Sequence, residues 1–169
     1  MRIAHCITFG LILGLILTWS APAAARPLRA TNDLDGNYVG IGLIINAVRM
    51  EGGWDGGFGG EISLTRVREN QPLSALGIAA GAMHFAKRDN NGRLWADLSL
   101  ANRTLMGFTW GLSGGLSVEI DDLAPPRWGG HGTLWIFAGV IPYVRIGAVE
   151  NTGIFMDFGV RVALPAFRW

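Results

Sequence analysis

The sequence predicts an all-β fold in which antiparallel strands close into an up-and-down barrel. Three observations lead to this fold class. Apolar residues alternate with small or polar ones over most of the chain after residue 37, as they do along strands with two unlike faces. Twenty-five of the 169 residues are glycine, and half are hydrophobic. No stretch beyond the first residues reaches the roughly 18 apolar residues of a membrane helix, so strands must carry the apolar surface.

The first residues of the chain predict a cleavable secretory signal, residues 1–25. Arg2 precedes the apolar run Ile7–Trp19, and small residues follow at Ala23 and Ala25. The run is too short for a transmembrane helix, which needs about 20 residues, and this argues against the alternative of a membrane anchor. We therefore expect an exported chain with a polar leader, residues 26–37, and a barrel domain, residues 38–169.

Charge and cysteine content exclude several classes of function. Removing Arg2 with the signal takes the 14 basic residues to 13, against 13 acidic ones, so the mature chain is neutral and nucleic acid binding is not expected. The only cysteine, Cys6, leaves with the signal, which removes disulfides and cysteine-based metal sites. Two histidines then remain, and we expect neither a metal nor another cofactor.

Seven segments are predicted as strands, in order along the chain. They lie near Tyr38–Val48, Phe58–Val67, Leu73–Ala86, Arg93–Ala101, Gly107–Ile120, Thr133–Val149 and Gly153–Leu164. In the second, fourth, fifth and last segments, most large apolar residues take one parity while glycine, serine and charged residues take the other, as in "GFTWGLSGGLSVEI". Trp95 and Phe155 are exceptions that share the parity of the charged residues. The third segment is less regular, and its change of character near Met83 suggests a bulge.

The sixth segment is unusually long, and both of its faces are bulky. Single-chain bacterial barrels have an even number of strands, so we expect eight. Either the sixth segment contains two strands that meet around Pro142, or the leader supplies one more.

Long and short connections alternate between these segments. "RMEGGWDGG", "AKRDNNG" and "DDLAPPRWGGH" are long, "NRT" and "ENTG" are short, and "RENQPLS" is intermediate. Long loops at one end and short turns at the other are typical of barrels in bacterial outer membranes. Trp54, Arg127, Trp128 and His131 fall in the long connections and are candidates for contact with a partner or a surface polysaccharide.

The apolar strand faces could point inward in a soluble barrel or outward in a membrane barrel. A soluble barrel would carry many Lys, Glu, Thr and Gln residues on its outer face. Here the other face is largely Gly, Ser and Ala, and the only lysine is Lys87. We therefore favour the membrane alternative, in which Phe108, Trp110 and Phe158 face lipid.

In that arrangement the inward face carries charges of both signs, which can pair and so offset the cost of burial. These residues are Glu61, Arg93, Asp97, Glu119, Arg145, Asp157 and Arg161. An eight-stranded barrel is just wide enough for side chains to fill it. Because Trp135, Phe137, Tyr143 and Phe155 also point inward, with Trp135 and Tyr143 over the glycines of "GLSGG", we expect a filled interior rather than an open pore.

The signal, the neutral mature chain, the two-faced strands, the alternating connections and the terminal Trp169 together resemble the small bacterial outer-membrane β-barrel proteins. The resemblance covers nearly all of the mature chain and rests on pattern, so it points to a class and to no single family. It implies location in the bacterial outer membrane, contact with outer-membrane lipid and folding by the barrel-assembly machinery. The sequence departs from the class at Pro165, which is expected to interrupt the last strand.

Three functions are compatible with these observations. The first is a structural or surface-interaction role through the longer loops. The second is a soluble, lipocalin-like barrel that binds a hydrophobic ligand in its core. The third is an outer-membrane enzyme that modifies lipid, for which His131, Ser117 and the acidic pair at Asp121 and Asp122 are the residues to consider. No motif in the sequence specifies a reaction, so we assign no catalytic residue.

Overall fold

The computed structural model describes residues 34–68, 71, 73–87, 91–105, 108–121 and 124–169, and the side chains of residues 103–108 lie outside this description. The expected signal, residues 1–25, and the leader up to residue 33 also lie outside the described residues. The described residues form eight antiparallel strands that pair in sequence order and close into a barrel. They are β1 (Gly36–Met50), β2 (Gly53–Val67), β3 (Ala75–Phe85), β4 (Asn91–Leu105), β5 (Phe108–Asp121), β6 (Ala124–Phe137), β7 (Ile141–Val149) and β8 (Gly153–Arg168). No helix among these residues is long and apolar enough to cross a membrane.

The expected eight strands are confirmed, and the long sixth segment contains two of them. β6 ends at Phe137 and β7 begins at Ile141, so the chain turns at residues 138–140, just before Pro142. The turn uses Gly139, whose φ of 83° falls in the left-handed region that favours glycine.

The predicted alternation of long and short loops is wrong, because the strands continue through the glycine-rich stretches. Only residues 51 and 52 separate β1 from β2, and only residues 122 and 123 separate β5 from β6. Residues 68–74, which join β2 to β3, form the longest connection. Glycine-rich stretches predict turns, but Gly57 makes room inside the sheet, because a Cβ there would collide with the Asn46 side chain of β1.

Two proline-containing stretches also belong to strands. "APPRW" opens β6 where the pairing with β5 shifts between Glu119 and Asp121, and proline is tolerated at such irregularities. β8 likewise continues past Pro165, which pairs with Gly40 beside a register shift, so the expected interruption of the last strand is wrong. The bulge expected near Met83 is also absent, since β3 pairs with both neighbours in unbroken register there.

The strands are staggered around the barrel. Paired residues followed once around it lead from Tyr38 through Thr65, Gly77, Ser99, Ser113, Thr133, Arg145 and Asp157 to Val48, ten residues further along β1. Such a stagger requires the strands to tilt against the barrel axis. Asn37 and Trp169 exchange two backbone hydrogen bonds, of 3.0 and 3.1 Å, so β1 begins and β8 ends at the same end. We call it the terminus end, and the opposite end, with residues 51–52 and 150–152, the turn end.

The two faces of the sheet differ sharply in exposure. On β1, Leu43 and Ile45 are 69% and 72% exposed, whereas Ile44 between them is 1% exposed. The same contrast recurs on the other strands, and the exposed aliphatic residues include Ile41, Ile62, Leu64, Leu76, Ile78, Leu98, Leu116, Ile146, Ile154 and Leu164. The barrel therefore presents an apolar exterior far larger than the patches that soluble monomers expose.

Aromatic side chains inside the barrel lie over glycines of the neighbouring strand. In each case a Cβ on the glycine would collide with the ring of its paired residue. The ring can therefore cover the strand only where the partner is glycine. The four pairs are Trp95 with Gly81, Trp135 with Gly111, Tyr143 with Gly159, and Phe155 with Gly147. Trp135 thus lies over the glycine run as expected, whereas Tyr143 lies over a glycine of β8.

Candidate functional site in the barrel interior

The seven charged residues expected on the inward face all lie inside the barrel, each less than a tenth exposed. They come from five strands: Glu61 from β2, Arg93 and Asp97 from β4, Glu119 from β5, Arg145 from β7, and Asp157 and Arg161 from β8. Period-two alternation turns each of these side chains away from the apolar exterior. The interior is therefore the part of the molecule in which ionisable groups are concentrated.

The first cluster lies toward the turn end. Arg93 donates to Glu119 at 2.5 Å, and Arg127 approaches the other carboxylate oxygen of Glu119 at 3.5 Å. Thr152, from the last turn, donates to that second oxygen at 3.2 Å. The Arg93 guanidinium also lies 3.7 Å from the centre of the Phe155 ring, a cation–π contact. Arg93 is thus held by a carboxylate and by an aromatic face.

The second cluster surrounds Arg145 of β7. Its terminal nitrogens lie 3.8 Å from Asp97 and 4.0 Å from Asp157, and its Nε donates to the Thr133 hydroxyl at 3.2 Å. His131 Nε2 lies 2.6 Å from the other oxygen of Asp97. Arg145 is fully buried, so its charge is balanced by two carboxylates and not by bulk water.

Hydrogen bonds from neutral groups extend this second cluster. Asn46 donates to Asp157 at 2.7 Å, and the Tyr143 hydroxyl donates to the same oxygen at 3.4 Å. Sequence reasoning did not select Asn46 or Thr133. The available signal for Asn46 was a polar residue at an inward position of β1, between the inward Ile44 and Val48.

The third cluster is a single ion pair, in which Arg161 donates to Glu61 at 2.9 Å. Its guanidinium lies 5.6 Å from the Tyr143 ring, and that of Arg145 lies 5.5 Å from the same ring. Tyr143 therefore stands between the second and third clusters, and the charged groups form a nearly continuous set through the interior.

Bulky side chains fill the space around these charges. The guanidinium of Arg145 lies 4.9 Å from the Trp95 ring, and Phe85 and Phe155 both lie next to Arg93. Phe137 departs from the expected inward set: it lies beyond the last β6–β7 pair and is 47% exposed at the terminus end. The interior therefore holds charges of both signs, in contact with one another and packed among aromatic rings.

The four residues expected in long loops all lie in strands, because the stretches that carry them continue the barrel. Trp54 of β2 and Trp128 of β6 are exposed on the outer face near the turn end. Arg127 reaches Glu119, and His131 points inward to Asp97, where it is 9% exposed. His131 is therefore not a loop residue. Ser117 is fully buried, and Asp122 lies outside the described residues.

Comparison with known proteins finds similarity in fold and not in sequence. No protein-family model matches the chain, and no curated protein matches it. The crystal structure of Neisserial surface protein A superposes with a TM-score of 0.53 at 14% identity, over 77% of this chain and 97% of that one. This chain has the fold of a small outer-membrane β-barrel. A de novo designed transmembrane β-barrel is also similar, with a TM-score of 0.46 at 8% identity, over 74% of this chain and 95% of that one.

The comparison confirms the resemblance at the level of class. An up-and-down barrel of eight strands with an apolar exterior is the architecture expected from the alternation. At 14% identity the similarity concerns the fold alone, so no residue role is carried over from the Neisserial protein.

Proposed function

We propose that this protein is a bacterial outer-membrane barrel with a closed, ion-paired interior, which serves as a structural or surface-interaction protein. The observation that carries the proposal is the complete burial of Arg93, Arg145 and Asp157 inside a barrel whose exterior is apolar. A barrel with charged residues facing inward and apolar residues facing outward is suited to being surrounded by the lipid of a bilayer.

The packing of the interior favours a closed barrel over a pore. Eight strands leave an interior that side chains can fill, and here Trp95, Tyr143 and Phe155 occupy it together with the arginines. The buried ion pairs also oppose opening of a channel through the barrel, because separating the two partners would leave uncompensated charges. The proposed protein therefore acts through its surface.

The surface available for contact is the turn-end rim. The turns themselves are short, so the exposed Trp54 and Trp128 on the adjoining strand ends, rather than long loops, would make contact with a partner. Trp at a membrane boundary also anchors a barrel in the bilayer without any partner. Export by the signal, residues 1–25, and folding by the barrel-assembly machinery complete this proposal.

A soluble, lipocalin-like barrel is disfavoured by the same distribution of side chains. Such a protein needs an apolar cavity for its ligand and a polar exterior for water, whereas this barrel has an apolar exterior and an interior filled by ion pairs and aromatic rings. The proposal of a lipid-modifying enzyme gains no support from His131, whose Nε2 is engaged by the buried Asp97 inside the barrel.

Conductance across planar bilayers tests the closed interior. We expect the purified, refolded protein to give no steady current above that of the bare bilayer. Trp95→Ala, which removes a ring from the interior, should produce a leak, whereas the exterior control Leu116→Ala should not. A steady, voltage-independent conductance from the unaltered protein would contradict the closed interior and show that the barrel is a pore.

A further inference from the structure

A groove on the outer face at the terminus end stands apart from the interior. It has a volume of 440 Å³ and runs over the paired residues Thr65 and Gly77. Neither residue places a side chain on the outer face, since Thr65 follows the inward parity of β2 and Gly77 has none. Its walls are mainly aliphatic side chains that point outward, and these are Leu64, Leu76, Ile78 and Leu98.

The groove also has a polar end and an aromatic residue. Arg66 lines it, is exposed on the outer face of β2, and is the next outward residue after Leu64. Trp169, which is 63% exposed, lines it as well, because its backbone pairs with Asn37, the β1 partner of Arg66. Trp and Arg at the end of a membrane barrel are positioned for the headgroup layer, where a cation costs little.

Further arginines lie on the same edge of the barrel. Arg68 forms an ion pair of 3.7 Å with Asp35, and Arg168 donates to the backbone carbonyl of Asp35 at 2.8 Å. Both of these arginines contact Asp35 and neither lines the groove, so Arg66 is the one arginine among the described residues that line it. Cations next to a bilayer attract anionic lipid.

We propose that the groove holds an acyl chain of an anionic phospholipid whose phosphate is bound by Arg66. The inference rests on the proposed membrane location and adds a specific lipid site to it. A bilayer covers every outward groove with hydrocarbon, and what distinguishes this one is the Arg66 guanidinium and the Trp169 ring that line it. The phosphate would receive charge-assisted hydrogen bonds from the guanidinium, while the chain would pack against Leu64, Ile78 and Leu98.

The chain offers a matched control at the opposite end. Arg49 is also an exposed arginine on the outer face, but its guanidinium lies 5.9 Å from the centre of the Trp54 ring beside it. Arg49 does not line the groove. Loss of Arg49 removes the same charge from the barrel as loss of Arg66.

Native mass spectrometry of the detergent-solubilised barrel tests the site. Phosphatidylglycerol and phosphatidylcholine with identical acyl chains are titrated against the unaltered protein and against Arg66→Ala, Arg49→Ala and Leu98→Trp. Each variant is first checked for a heat-dependent shift in electrophoretic mobility, which reports a folded barrel.

The unaltered protein should prefer phosphatidylglycerol. Arg66→Ala should weaken that binding about fivefold, the effect of removing one cation near a lipid surface. Leu98→Trp, which fills the groove, should weaken binding of both lipids, and Arg49→Ala should change neither. Soluble glycerophosphoglycerol, the headgroup without chains, should not compete.

Several results would overturn the inference. Equal losses for Arg66→Ala and Arg49→Ala would mean attraction to overall charge, and competition by the soluble headgroup would mean a phosphate site without an acyl chain. A variant Leu98→Trp that binds lipid normally would exclude the groove. Each of these results leaves the proposed function intact if the barrel still shifts on heating, whereas a protein that never shows the shift contradicts the proposed function itself.

Discussion

The outer and inner faces of the same strands are built on different physical rules. On β1, Leu43 and Ile45 face outward and are largely exposed, while Ile44 packs in the buried cluster and Asn46 donates to Asp157. The outer face must be apolar, but the shape of each side chain matters little because lipid adapts to it. The inner face must satisfy fixed geometry, since each charge depends on a partner from another strand.

This difference implies that the stability of the barrel depends on the polarity of an outward residue but on the exact identity of an inward one. Exchanging one aliphatic residue for another on the outer face keeps an apolar side chain against lipid. An equally small change inside removes an ion pair or collides with a ring. The following substitutions test this contrast.

Arg145→Ala should have the largest effect. It leaves Asp97 and Asp157 buried without their shared arginine, and removing one partner of a buried pair costs about 3–5 kcal/mol. Urea unfolding of the barrel in lipid vesicles measures the free energy of unfolding. The outward neighbour Ile146, changed to Leu, serves as control and should remain within about 0.5 kcal/mol of the unaltered protein. Equal losses at both positions would remove the distinction between the two faces.

A charge on the exterior should have the next largest effect. Leu116 is 64% exposed on the outer face of β5. Leu116→Arg should cost about 2–4 kcal/mol in vesicles, since a cation near the bilayer midplane loses its hydration. Leu116→Ile should cost almost nothing in the same unfolding measurement. If the Arg variant were as stable as the Ile variant, residue 116 would not face hydrocarbon.

Two glycines on neighbouring strands provide a matched test of packing. A Cβ at Gly111 would collide with the Trp135 ring, whereas a Cβ at Gly132 of β6 would meet no atom within 4 Å. Gly111→Ala should therefore destabilise the barrel by about 1–3 kcal/mol, as overpacking does. Gly132→Ala should be neutral or slightly stabilising, because alanine restricts the unfolded chain. Indistinguishable unfolding curves would mean that the Trp135 ring and the Leu100 carbonyl both yield to the added Cβ at no measurable cost, which would contradict tight packing there.

Tyr143→Phe should give the smallest loss. The change removes only the hydroxyl that donates to Asp157 at 3.4 Å and keeps the ring over Gly159. We expect about 1 kcal/mol or less, and less than for Asn46→Ala, which removes the shorter bond of 2.7 Å to the same oxygen. The reverse order of the two losses would show that the long bond, and not the short one, holds Asp157.

The sequence predicts the faces of the strands well and their ends poorly, for physical reasons. Alternation alone distinguishes Leu43 and Ile45 from Ile44, because exposure in a sheet has a period of two. Glycine carries two meanings, however: Gly57 makes room for the Asn46 side chain inside the sheet, in a stretch for which the sequence predicts a loop. Proline is similarly ambiguous, since Pro165 lies in a strand beside a register shift.

The partners of the inward residues cannot be predicted from alternation. Parity turns Asp97 and His131 to the same side of the sheet, but they meet only because Gly115 lies between them in the paired row and leaves space. A Cβ on Gly115 would come within 2.7 Å of the Asp97 carboxylate. Such meetings depend on the register of several strands and on the ten-residue stagger, and neither is written in any one segment.

The contact of the outer face with lipid is the central claim, and site-directed spin labelling tests it most directly. Cys6 is the only cysteine and lies in the expected signal, so single cysteines can be introduced at Leu43, Ile62 and Leu116 of the mature chain and labelled with a nitroxide. In vesicles, all three labels should collide frequently with molecular oxygen, which partitions into hydrocarbon, and rarely with a water-soluble nickel chelate. Labels that the nickel chelate reaches more readily than oxygen would mean that these residues face water, which would contradict a membrane barrel.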